Sequence, residues 1–395
     1  MIDRVTLGPL PDKPHTVFRD PKGKLLYEEM FTRGGFSGAF SYFYHLNPVM
    51  AHREVEASGP NTRSFPIAIP ADSASSPLER RLYISDKLTP GATPFEARTP
   101  ILTNADVSIY LVRAKKTDDA YFANGDGDEL WFIHEGDAEL ESPCGMLDVK
   151  AGDYVWLPKS LVHRWHVKGA ELRAMIFEAH GGVHVPEQFR NPVGQLQMDA
   201  PYTHRDFVRP NKPIATFDGP LAGPNELFVK KRNRFTRYVM ENPPMDVVGW
   251  EGFVYPFAFA IEKFQPKTGL VHLPPTIHAT FAARGFLLCS FVPRMTDTHP
   301  NAIPCPYPHS SVDCDEMILY LKGNFTSRKG VGPGAISLHP AGIAHGPHPG
   351  AYEGSIGSKR TDELAVMIDS TLPLLPTKQA KTIEDERYHA SWNQT

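Results

Sequence analysis

Residues 306–323, PYPHSSVDCDEMILYLKG, and residues 332–348, GPGAISLHPAGIAHGPH, decide how this chain is read. In the first, Glu316 precedes Gly323 by seven residues. In the second, Gly334, Pro340, Gly342 and His345 follow the spacing G-x5-P-x-G-x2-H. The two stretches are read as neighbouring short strands, with Gly334 and Gly342 turning the chain at either end of the second and Pro340 fixing its exit. Side chains alternate in a strand, so His309 and Glu316 reach one side only if the backbone bends between them. Two imidazoles and one carboxylate gathered in this way occupy one face of a metal's coordination sphere and leave the other open, the arrangement of a redox-active iron site.

The same pattern occurs earlier, in weaker form. Glu129 precedes Gly136 by seven residues, and Gly152, Pro158 and His163 repeat the second segment, with Ser160 where Gly342 stands. Upstream of Glu129 the chain reads FANGDGD, placing Asn124 or Asp126 where an imidazole is expected. That run reads as a turn. Glu129 and His163 alone make a poor transition-metal site, because two ligands rarely suffice, so the first block is read as mainly structural.

Both halves of the pattern, in order and twice, resemble the two motifs of the cupin superfamily. The resemblance implies an all-β chain of two jelly-roll or β-sandwich domains, with extra N-terminal strands and few short helices. Composition agrees: 38 Pro and 31 Gly in 395 residues interrupt the chain too often for long helices. Evenly spaced runs point to strands, including FSYFYHL, VSIYLVRA, ELWFIHEGDAELES, MLDVKAG, DYVWLP, HRWHV and LRAMIFEA. A polar, proline-bearing stretch from His184 to about Lys231 reads as a linker wrapping between the halves. Residues 1–210 are thus expected to form an N-terminal β domain with a degenerate cupin. Residues 211–395 are expected to form a catalytic cupin ending in the polar stretch TKQAKTIEDERYHASWNQT.

A formal net charge of -4 provides no global field for nucleic acid or an anionic membrane. The N-terminus, MIDRVTLGPLPDK, has charges where a signal peptide is apolar, and no apolar run is long enough for a transmembrane helix, which predicts a cytoplasmic protein. Four cysteines without a CxxC pair predict reduced thiols.

Around the second block the likeness narrows. DVVGWEGFVYP, HLPPTIHATFAA, FVPR, PYPH and HPAGIAHGP occur in the order found in homogentisate 1,2-dioxygenases, and GGFSG and NGDGDELWFIHEG extend the likeness faintly into the N-terminal half. The resemblance implies Fe(II) held by His309, Glu316 and His345, with His272 as the base that takes a phenolic proton and His339 as a hydrogen-bond partner of the substrate's ring hydroxyl. It implies an oxidoreductase of aromatic catabolism that uses O2 to open a small aromatic para-diol, such as the homogentisate of tyrosine degradation, and a homo-oligomer, trimer or hexamer. His278 and His348 match no family role.

Two positions depart from the family's usual residues. Ser310 stands where Arg commonly follows the first ligand, and Phe325 where a Tyr commonly follows the motif; one extra residue also separates His309 from Glu316. Phe offers neither charge nor hydrogen bond to a carboxylate. The substrate is therefore expected either to lack the acetate arm, as in gentisate or a substituted hydroquinone, or to be held by Arg294, Arg328 or Lys329. Two rivals remain open: a non-catalytic ligand-binding or storage bicupin, and a cupin isomerase or hydrolase using Zn or Mn.

Overall fold

The computed structural model describes residues 3–393 except 50, 58–62, 64, 72–76, 220–222, 271, 273–274, 311–312, 324, 326 and 329. Strands dominate the described residues, and the two α-helices, Ala351–Gly354 and Lys378–Lys381, are one turn each. The all-β expectation holds, and most of the strands collect into two large sheets matching the two halves of the repeat, beside two four-stranded sheets and a two-stranded one.

The first sheet has nine strands, built around Asp128–Ser142, Arg164–Ala179 and Val107–Ala114. HRWHV and LRAMIFEA, read separately from the sequence, are one long strand, Arg164–Ala179. A shift in its register against Asp128–Ser142 between Lys168 and Arg173 absorbs the interruption, with Gly169 at φ 86° in the gap. The second sheet has seven strands, centred on Asp315–Lys322 between Ala335–His339 and Leu364–Ser370.

Each sheet borrows strands from the other half. Phe257–Ala260 and Leu375–Pro376 join the first sheet, while Arg81–Ile84 and Val183–His184 edge the second. One apolar cluster runs through both, from Trp131 and Trp165 to Leu288, Met317 and Ile368, all essentially without solvent exposure. The 184–231 stretch is mostly irregular, as expected of a linker. Its end, Glu226–Lys231, is instead a strand that pairs parallel with Tyr121–Asn124 and antiparallel with Arg234–Met240.

The C-terminal residues, polar in composition, are docked. Ile383 and Tyr388 are buried, and the segment hydrogen-bonds along Arg81–Ile84 through Ile84 N to Ile383 O (2.8 Å) and Asp385 N to Leu82 O (2.8 Å). Among the described residues no helix is long and apolar enough to cross a membrane. Among the described residues the cysteines form no disulfide, and Cys144, Cys289 and Cys305 are buried.

Candidate metal centre

The interior of the second sheet is set by register. Glu316 lies opposite His339 on one side and Asp369 on the other, and Ile318 lies opposite Ser337 and Met367. Directly opposed residues share a face, so Glu316, Ile318 and Tyr320 line one wall, continued by Asp369, Met367 and Ala365. The predicted turns at Gly334 and Gly342 are present, with φ of 79° and 91°, and Gly323 lies at φ 94°. A side chain at Gly323 would also collide with the carbonyl of Asp362.

His309 is brought to the same wall by backbone contact with His345. The two form an isolated antiparallel bridge with reciprocal hydrogen bonds, His309 N to His345 O (2.9 Å) and His345 N to His309 O (2.8 Å). The bend expected between His309 and Glu316 is there, with Asp313 in the left-handed region at φ 58°. Each imidazole is then oriented by its own chain: His309 Nδ1 donates to Tyr307 O and His345 Nδ1 to Ile343 O, both at 3.1 Å. This leaves both Nε2 atoms free to converge, the usual way a protein fixes the tautomer of a metal-ligating histidine.

One ligand atom from each of His309, Glu316 and His345 lies within 4.8 Å of the others. Among the described residues this is the only group of three or more His, Cys, Asp or Glu side chains so gathered. His345 Nε2 is buried without a hydrogen-bond partner, a costly state that a metal ion relieves. Burial pushes the Glu316 carboxyl up, but the His339 hydrogen bond and the charges beside it, Arg328 among them, hold it down at about 2. His345 is pushed below its ordinary value by burial, against the pull of Glu316. An ionised carboxylate and a neutral imidazole are the forms that bind metal.

The wall faces a cavity of about 800 Å³ lined by Phe286, Leu287, Phe291, Ile318, Phe325 and Met367. His272 lines it, edge-on to Tyr307 at 5.1 Å, with its basicity lowered by burial and by Arg294 against the pull of Asp297. Phe325 also lines it, packed edge-on against Tyr320 at 4.7 Å. Ser310 is exposed and is not among the described lining residues.

His339 is fully buried, and both its ring nitrogens are engaged: Nδ1 lies 2.7 Å from Glu316 Oε1 and Nε2 3.2 Å from Tyr388 Oη. It lies beside the carboxylate on the neighbouring strand and is likewise not among the described lining residues. Of the alternative cations, Arg294 is paired with Glu363 at 2.9 Å, and Arg328 turns to Gly346 O and to Glu316, 3.5 Å away. Lys329 lies outside the described residues. The sequence reading passed over His278, which lines the cavity; burial, with Arg294 and His272, holds it down at about 3, and its Nδ1 has no partner. It also passed over Tyr388, whose surroundings ERYHASW carry no periodic signal.

The N-terminal repeat retains the backbone of the site and lacks one of its three side chains. Gly136, Gly152 and Ser160 have φ of 82°, 93° and 70°, so even the serine adopts the conformation of Gly342. His163 keeps the posture of His345, with Nδ1 2.9 Å from Leu161 O and a buried, unpartnered Nε2. Its bridge partner is Phe122, seven residues before Glu129 as His309 is seven before Glu316. The residue replacing the imidazole is therefore Phe122, and the Asn124 or Asp126 expected there belong to the turn.

Asn124 Nδ2 instead donates to Glu129 at 2.8 Å. Arg98 completes the substitution. Its guanidinium grips both oxygens of Glu129 at 2.7 and 3.0 Å and lies over the Phe122 ring at 4.5 Å. A fixed cation stands against the carboxylate that a metal would need.

Comparison with known proteins gives the family. The model of the homogentisate 1,2-dioxygenase N-terminal domain matches residues 24–261, and that of the C-terminal domain matches residues 260–395. A protein of Saccharolobus solfataricus, provisionally named a dioxygenase, is 35% identical over 98% of this chain and 97% of its own. Homogentisate 1,2-dioxygenase of Pseudomonas entomophila is 25% identical over 94% of this chain and 88% of its own. That of Bradyrhizobium diazoefficiens is 27% identical over 72% of this chain, an alignment spanning 65% of its own length. This chain belongs to the homogentisate 1,2-dioxygenase family.

Proposed function

We propose that the chain is a non-haem Fe(II)-dependent oxidoreductase that opens the ring of a para-diol and places both atoms of O2 in the product. The observation that carries the reading is the convergence of His309, Glu316 and His345, with His309 and Glu316 lining a largely apolar cavity that His272 also lines. An ionised carboxylate, a neutral imidazole and a buried, unpartnered Nε2 suit Fe(II) bound with an open face. Fe(II), when bound, supplies the route by which dioxygen reacts with an aromatic ring despite its spin.

The chain's own residues supply the rest. The apolar walls seat the ring and exclude water, turning an encounter of two small molecules into a reaction between held partners. His272, kept neutral near neutral pH by its surroundings, accepts the phenolic proton as the diol is seated. His339 serves this site by holding Glu316, whose oxygen it contacts. The role expected for it, a bond to the substrate hydroxyl, requires one of its two engaged nitrogens to change partner.

The ring bond that breaks lies beside a hydroxylated carbon; with homogentisate the product is maleylacetoacetate. Phe325 and the engagement of Arg294 and Arg328 favour a diol without a carboxylate arm, a hydroquinone, over homogentisate or gentisate. A homo-oligomer in the cytoplasm is the accompanying expectation.

The test is an oxygen-electrode screen of homogentisate, gentisate and hydroquinones with protein reconstituted anaerobically with Fe(II). One O2 consumed per diol supports the proposal. An iron-loaded sample inert towards all of them refutes it.

A further inference from the structure

We propose that Tyr388, on the docked C-terminal segment, is a positioning residue of the metal centre that acts through His339 on Glu316. The inference rests on His309, Glu316 and His345 being a metal site; it requires neither a particular substrate nor a particular reaction.

The hydrogen positions follow from what each group can do. An ionised carboxylate only accepts, so the 2.7 Å contact between His339 Nδ1 and Glu316 Oε1 places a hydrogen on Nδ1. Arg328 Nη2 lies 3.4 Å from the same nitrogen, so a doubly protonated ring would face a cation at close range. With one hydrogen, on Nδ1, the imidazole presents a lone pair at Nε2, and Tyr388 Oη, 3.2 Å away, donates to it. The line Tyr388 O–H to Nε2, then Nδ1–H to Glu316, fixes both the tautomer and the ring plane of His339. Through them it fixes the carboxylate.

The segment is held where this requires. Glu384 pairs with Arg81 at 2.6 Å, and the flanking backbone runs along Arg81–Ile84, the strand beside the one that carries His339. Tyr388 is 5% exposed, and its ring is nearly parallel to that of His339. Four residues on, Trp392 stacks on His348 at 3.8 Å, and Ser391 Oγ lies 2.8 Å from His348 Nε2, three residues beyond the ligand His345. One short segment therefore grips both the Glu316 side and the His345 side of the centre. Partners of metal ligands set affinity as well as orientation.

Tyr388→Phe keeps the ring and its packing and removes only the donor. Affinity for Fe(II), titrated anaerobically against a competing chelator, is expected to fall about tenfold, and affinity for Co(II) likewise. The visible absorption of the Co(II) form should change, while the unfolding midpoint of the metal-free protein stays near that of the wild type. In a His339→Gln background, Tyr388→Phe should cause no further loss, because the link is already broken.

Unchanged affinity in Tyr388→Phe, or an undiminished tenfold loss in the His339→Gln background, overturns the proposal. A wild-type protein that binds neither metal overturns it together with the proposed function. Metal binding with the predicted Tyr388→Phe effect, but no O2 uptake with any para-diol, overturns only the proposed reaction.

Discussion

Replacing Arg98 by Met tests whether a guanidinium has taken over the electrostatic task of a metal in the N-terminal repeat. In the wild type Glu129 is 1% exposed and receives four hydrogen bonds: two from Arg98, one from Asn124 and one from Trp131 Nε1 at 2.9 Å. Burial pushes its carboxyl up, and Arg98 more than reverses this, leaving it below its ordinary value. In Arg98→Met the two neutral donors remain, while two charge-assisted bonds worth roughly 1.5–3 kcal/mol each are lost. Breaking a buried pair from one side generally costs about 3–5 kcal/mol, and that is the loss expected in urea unfolding at pH 7.5.

The sign of the pH dependence follows. Without Arg98 burial is left largely unopposed, so the folded-state pKa of Glu129 rises above its unfolded value, and the folded variant takes up a proton that the unfolded chain does not hold. The deficit against the wild type should therefore be largest at high pH and shrink as pH falls towards 5, by at most about 1.4 kcal/mol per pH unit. Arg98→Met combined with Glu129→Gln should recover most of the stability, since no buried charge is left behind. A deficit below about 1 kcal/mol at pH 7.5, or one that does not vary with pH, would refute the reasoning.

Three further outcomes are expected. The Glu178–Lys230 pair is buried, with contacts of 2.5 and 2.6 Å, and Lys230 holds Glu178 down at about 2 against the effect of burial. Its stabilisation is full above pH 4.5 and is lost as pH falls through about 2, so acid unfolding followed by circular dichroism should be shallower over that window in Glu178→Gln. His272→Gln should retain wild-type Fe(II) affinity while turnover falls about 10²–10⁴-fold, the span of general-base contributions, and a variant of undiminished turnover would remove His272 from its role. Phe325→Tyr should raise the kcat/KM ratio for homogentisate over unsubstituted hydroquinone by roughly tenfold, the worth of about one hydrogen bond to a charged group, and an unchanged ratio would remove the specificity argument.

What the sequence made legible follows from what is local in the chain. The borders of Val107–Ala114 and Ala335–His339 could be read because they are short runs bounded by turn residues. The proposed ligands could be read because strand spacing and glycine turns fix which residues return to one wall. Pairings distant in sequence could not. That Glu316 lies opposite His339 is a property of register, and that Arg98 reaches Glu129 depends on two strands of the first sheet that are not neighbours in it. Phe122 was hidden because Asn124 and Asp126 make a more obvious turn signal. Tyr388 was hidden because a polar segment gives no sign that one of its rings is buried against a distant sheet.

The most direct test of the central claim is the mass of the product formed under 18O2 by the Fe(II)-loaded protein from whichever para-diol it consumes. A ring-opened product carrying two 18O atoms is expected, and neither product nor bound iron in His345→Ala. A single 18O atom, or product formed without oxygen, would contradict that claim.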